Sequence, residues 1–190
     1  MSTKSILIVG VGGQGTLLAS RLLGNVMLSQ GYDVKISEVH GMSQRGGSVV
    51  TYVRYGENVA SPIIEQGEAD IILSFEQLEA ARYLPYLKKG GVIVTNTQKI
   101  DPMSVVTGAA KYPESIVEKL NQMDAKIVDF DALSVAESAG SMKAVNVALI
   151  GKLASLFDIP YEVWINAINE TVAPKFAQLN QKAFELGYNC

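Results

Sequence analysis

The chain opens on a short apolar run, residues 6–10, that ends in glycine, the pattern of a buried strand. The period then changes. Over residues 13–30 Leu17, Leu18, Leu22, Leu23 and Val26 recur at helical spacing, and Gly31 stops the pattern. Residues 33–39 predict a second strand, so the unit is strand, glycine loop, helix, strand, as a dinucleotide-binding fold begins. Residues 48–55, rich in Val, Thr and Tyr, predict a third strand. The connector before it, residues 40–47, is eight residues long, whereas a parallel crossover needs about a dozen or more. The third strand is therefore expected to run antiparallel to the second, as a long hairpin, in a mixed sheet. Gly56-Glu57-Asn58 predicts a turn, and residues 59–64 a short edge segment.

Residues 69–75 predict a fourth strand and 76–84 a helix. Gly90-Gly91 reads as a turn before a fifth strand at 92–96. Residues 97–112 are irregular. Pro113 suits the first turn of a helix over 113–123. A sixth strand is expected at 126–130, and Asp131 as the N-cap of a helix over 132–139. From residue 142 onward the pattern is wholly helical, over 145–157, 160–171 and 174–186. The fold class is α/β: three layers, α/β/α, with a mixed, mainly parallel sheet, a Rossmann-like start and a helical C-terminal third. No repeat, low-complexity stretch or linker interrupts the 190 residues, which fit one domain, 1–190.

Composition narrows the partners. Apolar residues make up 48% and charged ones 18%, an ordinary globular balance. A net charge of −3 without a basic stripe argues against nucleic acid. Lys88-Lys89 is the only adjacent basic pair. No apolar run approaches membrane-span length, and residues 1–5 are too short for a signal peptide, so no membrane partner and a cytoplasmic location are expected. Cys190 is the only cysteine and His40 the only histidine. An intramolecular disulfide and a four-thiolate iron–sulfur cluster are excluded, and a His/Cys zinc site is disfavoured. No metal site and no catalytic residue are assigned to this chain. Any redox centre it serves belongs to another chain.

Two glycine-rich stretches carry the candidate chemistry. In the first, Gly10-Val11-Gly12-Gly13-Gln14-Gly15, Gly10 permits a tight turn, Gly12 lets a phosphate approach the backbone, and Gly15 lets the helix pack on the strand. The helix start attracts an anion, and Glu38, ending the second strand, could accept from a ribose hydroxyl. Glycines at such a turn also serve packing alone. The short second connector and the lack of a hydride-transfer site weigh against free NAD or FAD. Another phosphate-bearing group, such as part of coenzyme A, fits better.

The second stretch is His40-Gly41-Met42-Ser43-Gln44-Arg45-Gly46-Gly47-Ser48-Val49. Arg45 offers a bidentate fork to a phosphate or carboxylate, and an ion pair with Glu38 weighs evenly against that role. Gly46 and Gly47 allow close backbone approach, while Ser43, Gln44 and Ser48 add hydrogen-bonding capacity. His40 titrates near neutral pH when unperturbed, but a histidine bonded to nearby backbone is the plainer reading.

On these residues the chain resembles the gamma-type domain of 2-oxoacid:ferredoxin oxidoreductases. The first stretch is similar to that family's opening loop. Residues 38–49 are similar to its indolepyruvate branch, the Arg45-Gly46-Gly47 part being shared more widely, and Asn146 also resembles a family position. The likeness covers nearly the whole chain. It implies oxidative decarboxylation of a 2-oxoacid, such as an arylpyruvate, to an acyl-coenzyme A, with electrons passed to ferredoxin. Thiamine diphosphate and the 4Fe–4S clusters would lie on a large partner subunit. This chain, inactive alone, would complete the assembly, shape access to the cofactor and contact coenzyme A. The binding residues implied are Gly10, Gly12, Gly13, Gln14, Gly15, Glu38, Ser43, Gln44, Arg45, Gly46, Gly47 and Asn146. A gamma subunit of a pyruvate, 2-oxoisovalerate or 2-oxoglutarate enzyme is the alternative within the family. A stand-alone nucleotide-binding module is the alternative outside it.

Overall fold

A computed structural model describes residues 2–39, 46–123 and 125–190. The apolar runs become six strands: Lys4–Val11 (β1), Asp33–Glu38 (β2), Ser48–Gly56 (β3), Ala69–Ser74 (β4), Leu87–Asn96 (β5) and Lys126–Phe130 (β6). They form one sheet in the order β2-β3-β1-β4-β5-β6. Pairs β1–β4, β4–β5 and β5–β6 are parallel, whereas β3 is antiparallel to both β2 and β1. The hairpin expected from the short connector is present. The hairpin also inserts β3 between β1 and β2, from Lys4 opposite Tyr55 to Val11 opposite Ser48.

Both faces of the central strands β1 and β4 are buried, which is why they read as continuous apolar runs, whereas the edge strands β2 and β6 do not. In β1, Ile6 and Ile8 face one core, and Leu7 and Val9 the other. On the first face lie the helices Thr16–Ser29 (α1), Ala132–Ala139 (α5), Val145–Ala154 (α6), Tyr161–Thr171 (α7) and Ala177–Tyr188 (α8). On the second lie Gln77–Tyr83 (α2) and Ile116–Asn121 (α4). Met103–Val106 forms the short helix α3. This is the three-layer, mixed-sheet α/β fold expected, with a helical final third.

Asp131 caps α5 as expected, accepting from the Ser134 N–H at 3.0 Å. Hydrogen bonds from the Ser134 hydroxyl and N–H hold its carboxyl below the ordinary carboxylate range. The tightest helix contact is α6 on α8. A Cβ added at Gly151 would lie 2.2 Å from the Phe184 carbonyl oxygen, and one at Gly187 would lie 2.1 Å from that of Ala148. The two backbones touch because both positions lack a side chain.

Several expectations need correction. Residues 59–64 form no strand. Val59 and Ile64 are buried, but side chains satisfy the local backbone: Asp33 accepts from the Val59 N–H at 2.8 Å, and the Arg54 guanidinium donates to the Ile63 carbonyl at 2.9 Å. Lys88 to Gly91 lie within β5 rather than in a turn before it. Pro113 lies outside α4, because Ser115 adopts a left-handed conformation (φ 55°) just before the helix. Leu17 is 37% exposed, so the buried stripe of α1 is narrower than its leucines suggested.

Candidate functional site

β1 and β3 reach the same edge of the sheet, and this joins the two glycine stretches. Beyond the Val11–Ser48 pair, the Gly12 N–H donates to the Gly47 carbonyl at 2.8 Å. The Gly46 N–H donates to the Gly12 carbonyl at 3.2 Å. Gly12 thus uses both backbone groups to extend the β1–β3 ladder. A phosphate at this loop would meet the first-turn N–H groups of α1 rather than that of Gly12.

Gln14 closes the loop. Its Oε1 accepts from the Val11 N–H at 2.8 Å, and its Nε2 donates to the Phe75 carbonyl at 3.0 Å. Gly10 makes the room, since a Cβ there would lie 2.9 Å from both Gln14 Oε1 and Phe75 Cβ. Gly15 precedes α1 with φ 86°, and an added Cβ would lie 2.5 Å from Asn146 Nδ2. Asn146, buried at the start of α6, donates to the Gly15 carbonyl at 3.4 Å and braces the loop from the helical third.

Glu38 sits across from this loop. The inserted β3 puts it two strand spacings from β1, about 10 Å. Ser20 of α1 donates to it at 2.9 Å. Glu38 and Val39 share a cavity of about 300 Å³ with Gly12, Gly13, Gly15, Thr16, Leu17, Val49 and Thr51. His40, Ser43, Gln44 and Arg45 lie outside the described residues. The structure therefore brings together Gly10, Gly12, Gly13, Gln14, Gly15, Gly46, Gly47 and Asn146, with Glu38 on the far wall.

Four side chains that the sequence did not single out complete this edge. Asn96 ends β5 and donates to the Phe75 carbonyl at 3.3 Å, and its Oδ1 accepts from the Ala132 N–H at 3.2 Å. Gln98 accepts from both Asn96, at 3.3 Å, and Gln14, at 3.4 Å. Lys143 lines a second cavity of about 470 Å³ on the other side of the loop, with Gly13, Gln14, Gly15, Gln98 and Asn146. Glu76, 1% exposed, holds down residues 97–113: it accepts from the Ile100 N–H at 3.2 Å and from the Tyr112 phenol, while also capping α2 through the Glu79 N–H at 3.0 Å. Those donors offset the cost of burying a carboxylate. Burial, and then the bond to Glu76, push the Tyr112 phenol well above its ordinary range, so it remains a donor. The signal available was a polar residue at or just past the end of two buried strands, Asn96 at the end of β5 and Glu76 two residues beyond β4; the distances between strand ends were not encoded locally.

Apolar side chains rim this polar edge. Val39, Met103 and Met142 are each more than half exposed. A smaller cavity of about 120 Å³ lies between Met103, Gly46, Gly47 and Arg82. Beneath it Ser48 donates to Glu79, which also pairs with Arg82 at 3.1 Å.

Comparison with known proteins places this arrangement. Residues 5–190 match the model of the pyruvate ferredoxin/flavodoxin oxidoreductase family. The indolepyruvate oxidoreductase subunit IorB of Thermococcus kodakarensis is 46% identical over 98% of this chain and 95% of that protein. The common gamma subunit of the pyruvate/ketoisovalerate oxidoreductases of the same organism is 25% identical over 95% of this chain and 92% of that protein. Among solved structures, the pyruvate oxidoreductase subunit PORC of Thermotoga maritima superposes with a TM-score of 0.76 at 20% identity, covering 100% of this chain and 97% of that one. The 2-oxoglutarate:ferredoxin oxidoreductase of Magnetococcus marinus, solved with 2-oxoglutarate, coenzyme A and succinyl-CoA, gives 0.74 at 17% identity; all of this chain matches 31% of that one. No helix among the described residues is long and apolar enough to cross a membrane. The chain belongs to the pyruvate ferredoxin/flavodoxin oxidoreductase family.

Proposed function

We propose that this chain is the small subunit of an oxidoreductase acting on indolepyruvate and related arylpyruvates. It would support their oxidative decarboxylation to acyl-coenzyme A, with electrons delivered to ferredoxin. The observation that carries the substrate reading is the difference in likeness within one organism: 46% identity to the indolepyruvate subunit against 25% to the gamma subunit. With one cysteine and one histidine in 190 residues, the chain does not fit a four-thiolate cluster. Thiamine diphosphate and the clusters are proposed to lie on a larger partner subunit, as the family resemblance implies.

The role assigned to the joined glycine stretches is docking. The engagement of Gly12 by Gly46 and Gly47 favours a rigid face over the open phosphate cradle of a stand-alone nucleotide-binding module. Exposed Val39, Met103 and Met142 give that face an apolar rim suited to a partner. Coenzyme A is proposed to reach the cavity beside Gly13, Gly15 and Asn146, where Lys143 and the start of α1 suit a phosphate. Gly10, Gln14, Glu38, Ser43, Gln44 and Arg45 are proposed to position this surface or its ligand.

The test is reconstitution with the thiamine-bearing large subunit of the same source. The pair should turn over indolepyruvate and phenylpyruvate well and pyruvate poorly, with coenzyme A and ferredoxin. The isolated chain should be colourless and inactive. Preference for pyruvate would move the chain to the gamma branch, and turnover by this chain alone would end the subunit reading.

A further inference from the structure

The opposite edge of the sheet, where β1, β4 and β5 begin, holds a cavity of about 440 Å³ remote from the glycine stretches. An irregularity in β5 shapes it. Ala69 pairs with Leu87 and Ile71 with Val92, so β5 advances five residues while β4 advances two. The extra residues fold out as a bulge of Lys88, Lys89, Gly90 and Gly91. Gly91 is required for so tight a bulge: a Cβ there would lie 2.8 Å from Leu87 Cδ1 and 2.9 Å from the Lys88 carbonyl oxygen. Bulges re-aim side chains, and they recur beside functional sites.

Here the bulge turns Lys88 back onto Asp70. Lys88 Nζ lies 3.3 Å and Lys4 Nζ 3.4 Å from Asp70 Oδ1, while Oδ2 accepts from the Ser5 N–H at 3.0 Å. Lys89 lines the same cavity and makes no ion pair among the described residues. Two ammonium groups thus meet one carboxylate and a third lysine lines the same cavity, a local surplus of positive charge in a chain of net charge −3. The facing wall is apolar, built from Ile6, Ile71, Leu156 and Phe157. Tyr55 completes it; burial, and then Asp70, push its phenol up to about 12, which leaves it a neutral donor.

An ion pair that ties strand ends together explains Lys4, Lys88 and Asp70. It does not explain Lys89, the apolar wall or the bulge. We propose that this cavity binds a small organic phosphate, its dianionic head on the bulge lysines and its aromatic body against Leu156 and Phe157. The doubly charged head matches the surplus charge, and lysine serves phosphate as a point charge. The volume falls within the range of small-molecule sites. The proposal is independent of the function assigned to the other edge.

Titration calorimetry on the full chain tests it, with AMP and phenyl phosphate as probes beside inorganic phosphate and phenylacetate. At least one organic phosphate should bind more tightly than inorganic phosphate and than phenylacetate. Lys89→Ala should weaken it about tenfold, the scale of one charge-assisted hydrogen bond. Leu156→Ser should weaken the organic phosphate while leaving inorganic phosphate unchanged. Lys89 is exposed and Leu156 38% exposed, so Lys89→Ala should leave thermal melting unchanged and Leu156→Ser should lower it by only a few degrees. Equal affinity for inorganic phosphate, equal affinity for phenylacetate, indifference to Lys89→Ala, or no heat from either organic phosphate at millimolar concentration would each overturn the proposal.

Discussion

Glycine serves the α6–α8 contact and the loop after β1 for different reasons. At Gly151 and Gly187 the backbone is ordinary helix, and what matters is the space a side chain would take: an added Cβ would lie 2.2 Å and 2.1 Å from carbonyl oxygens of the facing helix. At Gly13 and Gly15 the backbone itself is unusual, with φ of 101° and 86°. A helix pair fails when its surfaces part. A loop fails when its conformation or its side-chain ties are lost. Substitutions in the first region should therefore act on the whole fold, and those in the second on the edge that carries the proposed site.

The largest effect is expected at Gly151→Ala. Alanine has the better helix propensity by about 1 kcal/mol, so local preference alone predicts stabilisation. The clash with the Phe184 carbonyl opposes it, and backbone cannot move aside as a side chain can. Overpacking of this kind costs up to about 3 kcal/mol or more, so the clash wins. The melting temperature should fall by roughly 6 °C or more. A rise would mean that the helices can part freely.

Gln14→Leu should come next, at about 2 kcal/mol, because it strands the Val11 N–H inside the loop. The Phe75 carbonyl keeps Asn96 as a donor, so only one group is orphaned. Gln14→Glu should fall between, since a carboxylate still accepts from Val11 but cannot donate to Phe75. Assembly with the large subunit should suffer more than melting does. Equal losses in both would make Gln14 a packing residue only.

Asp131→Ala probes the same edge at the start of α5 and should cost about 1 kcal/mol, the usual value of an N-cap. The sign of its pH dependence follows from the lowered carboxyl. The folded state binds the proton more weakly than the unfolded chain, whose value is 3.8. The cap's contribution is then present above that value and lost as pH falls through the lower, folded one. Melting curves of the two proteins should differ at pH 7 and converge as pH falls below 3.8 and through the lowered, folded value.

The elements were legible wherever one local rule sufficed. β6 and the Asp131 cap fall where the sequence placed them, because an apolar run and a capping carboxylate are local signals. The eight-residue connector disclosed the hairpin through chain length alone. What it could not disclose was the insertion of β3 between β1 and β2, since the β1–β3 ladder joins residues 37 to 51 positions apart. That insertion moved Glu38 across the cavity and engaged Gly12. The Lys88 to Gly91 stretch misled for a related reason: Gly-Gly signals a turn locally, and only pairing with β4 makes it a bulge. Lys143 and Gln98 carried no motif, and only the fold brings them to the glycine loop.

The sharpest test of the comparison is Gly13→Ala, whose effect on folding is also small. An added Cβ there meets nothing within 4 Å, so the contact term that dominates at Gly151 is absent. What remains is the strain of an alanine at φ 101°, on the order of 1–2 kcal/mol. The free chain should melt only a few degrees lower. Yet Gly13 lines both cavities beside the loop, and its open side is where a partner or a phosphate would approach. Reconstituted turnover should therefore fall at least tenfold while the fold survives. Turnover reduced no more than melting would show that the loop's glycines serve conformation alone, and the docking role would pass to the apolar rim at Val39, Met103 and Met142.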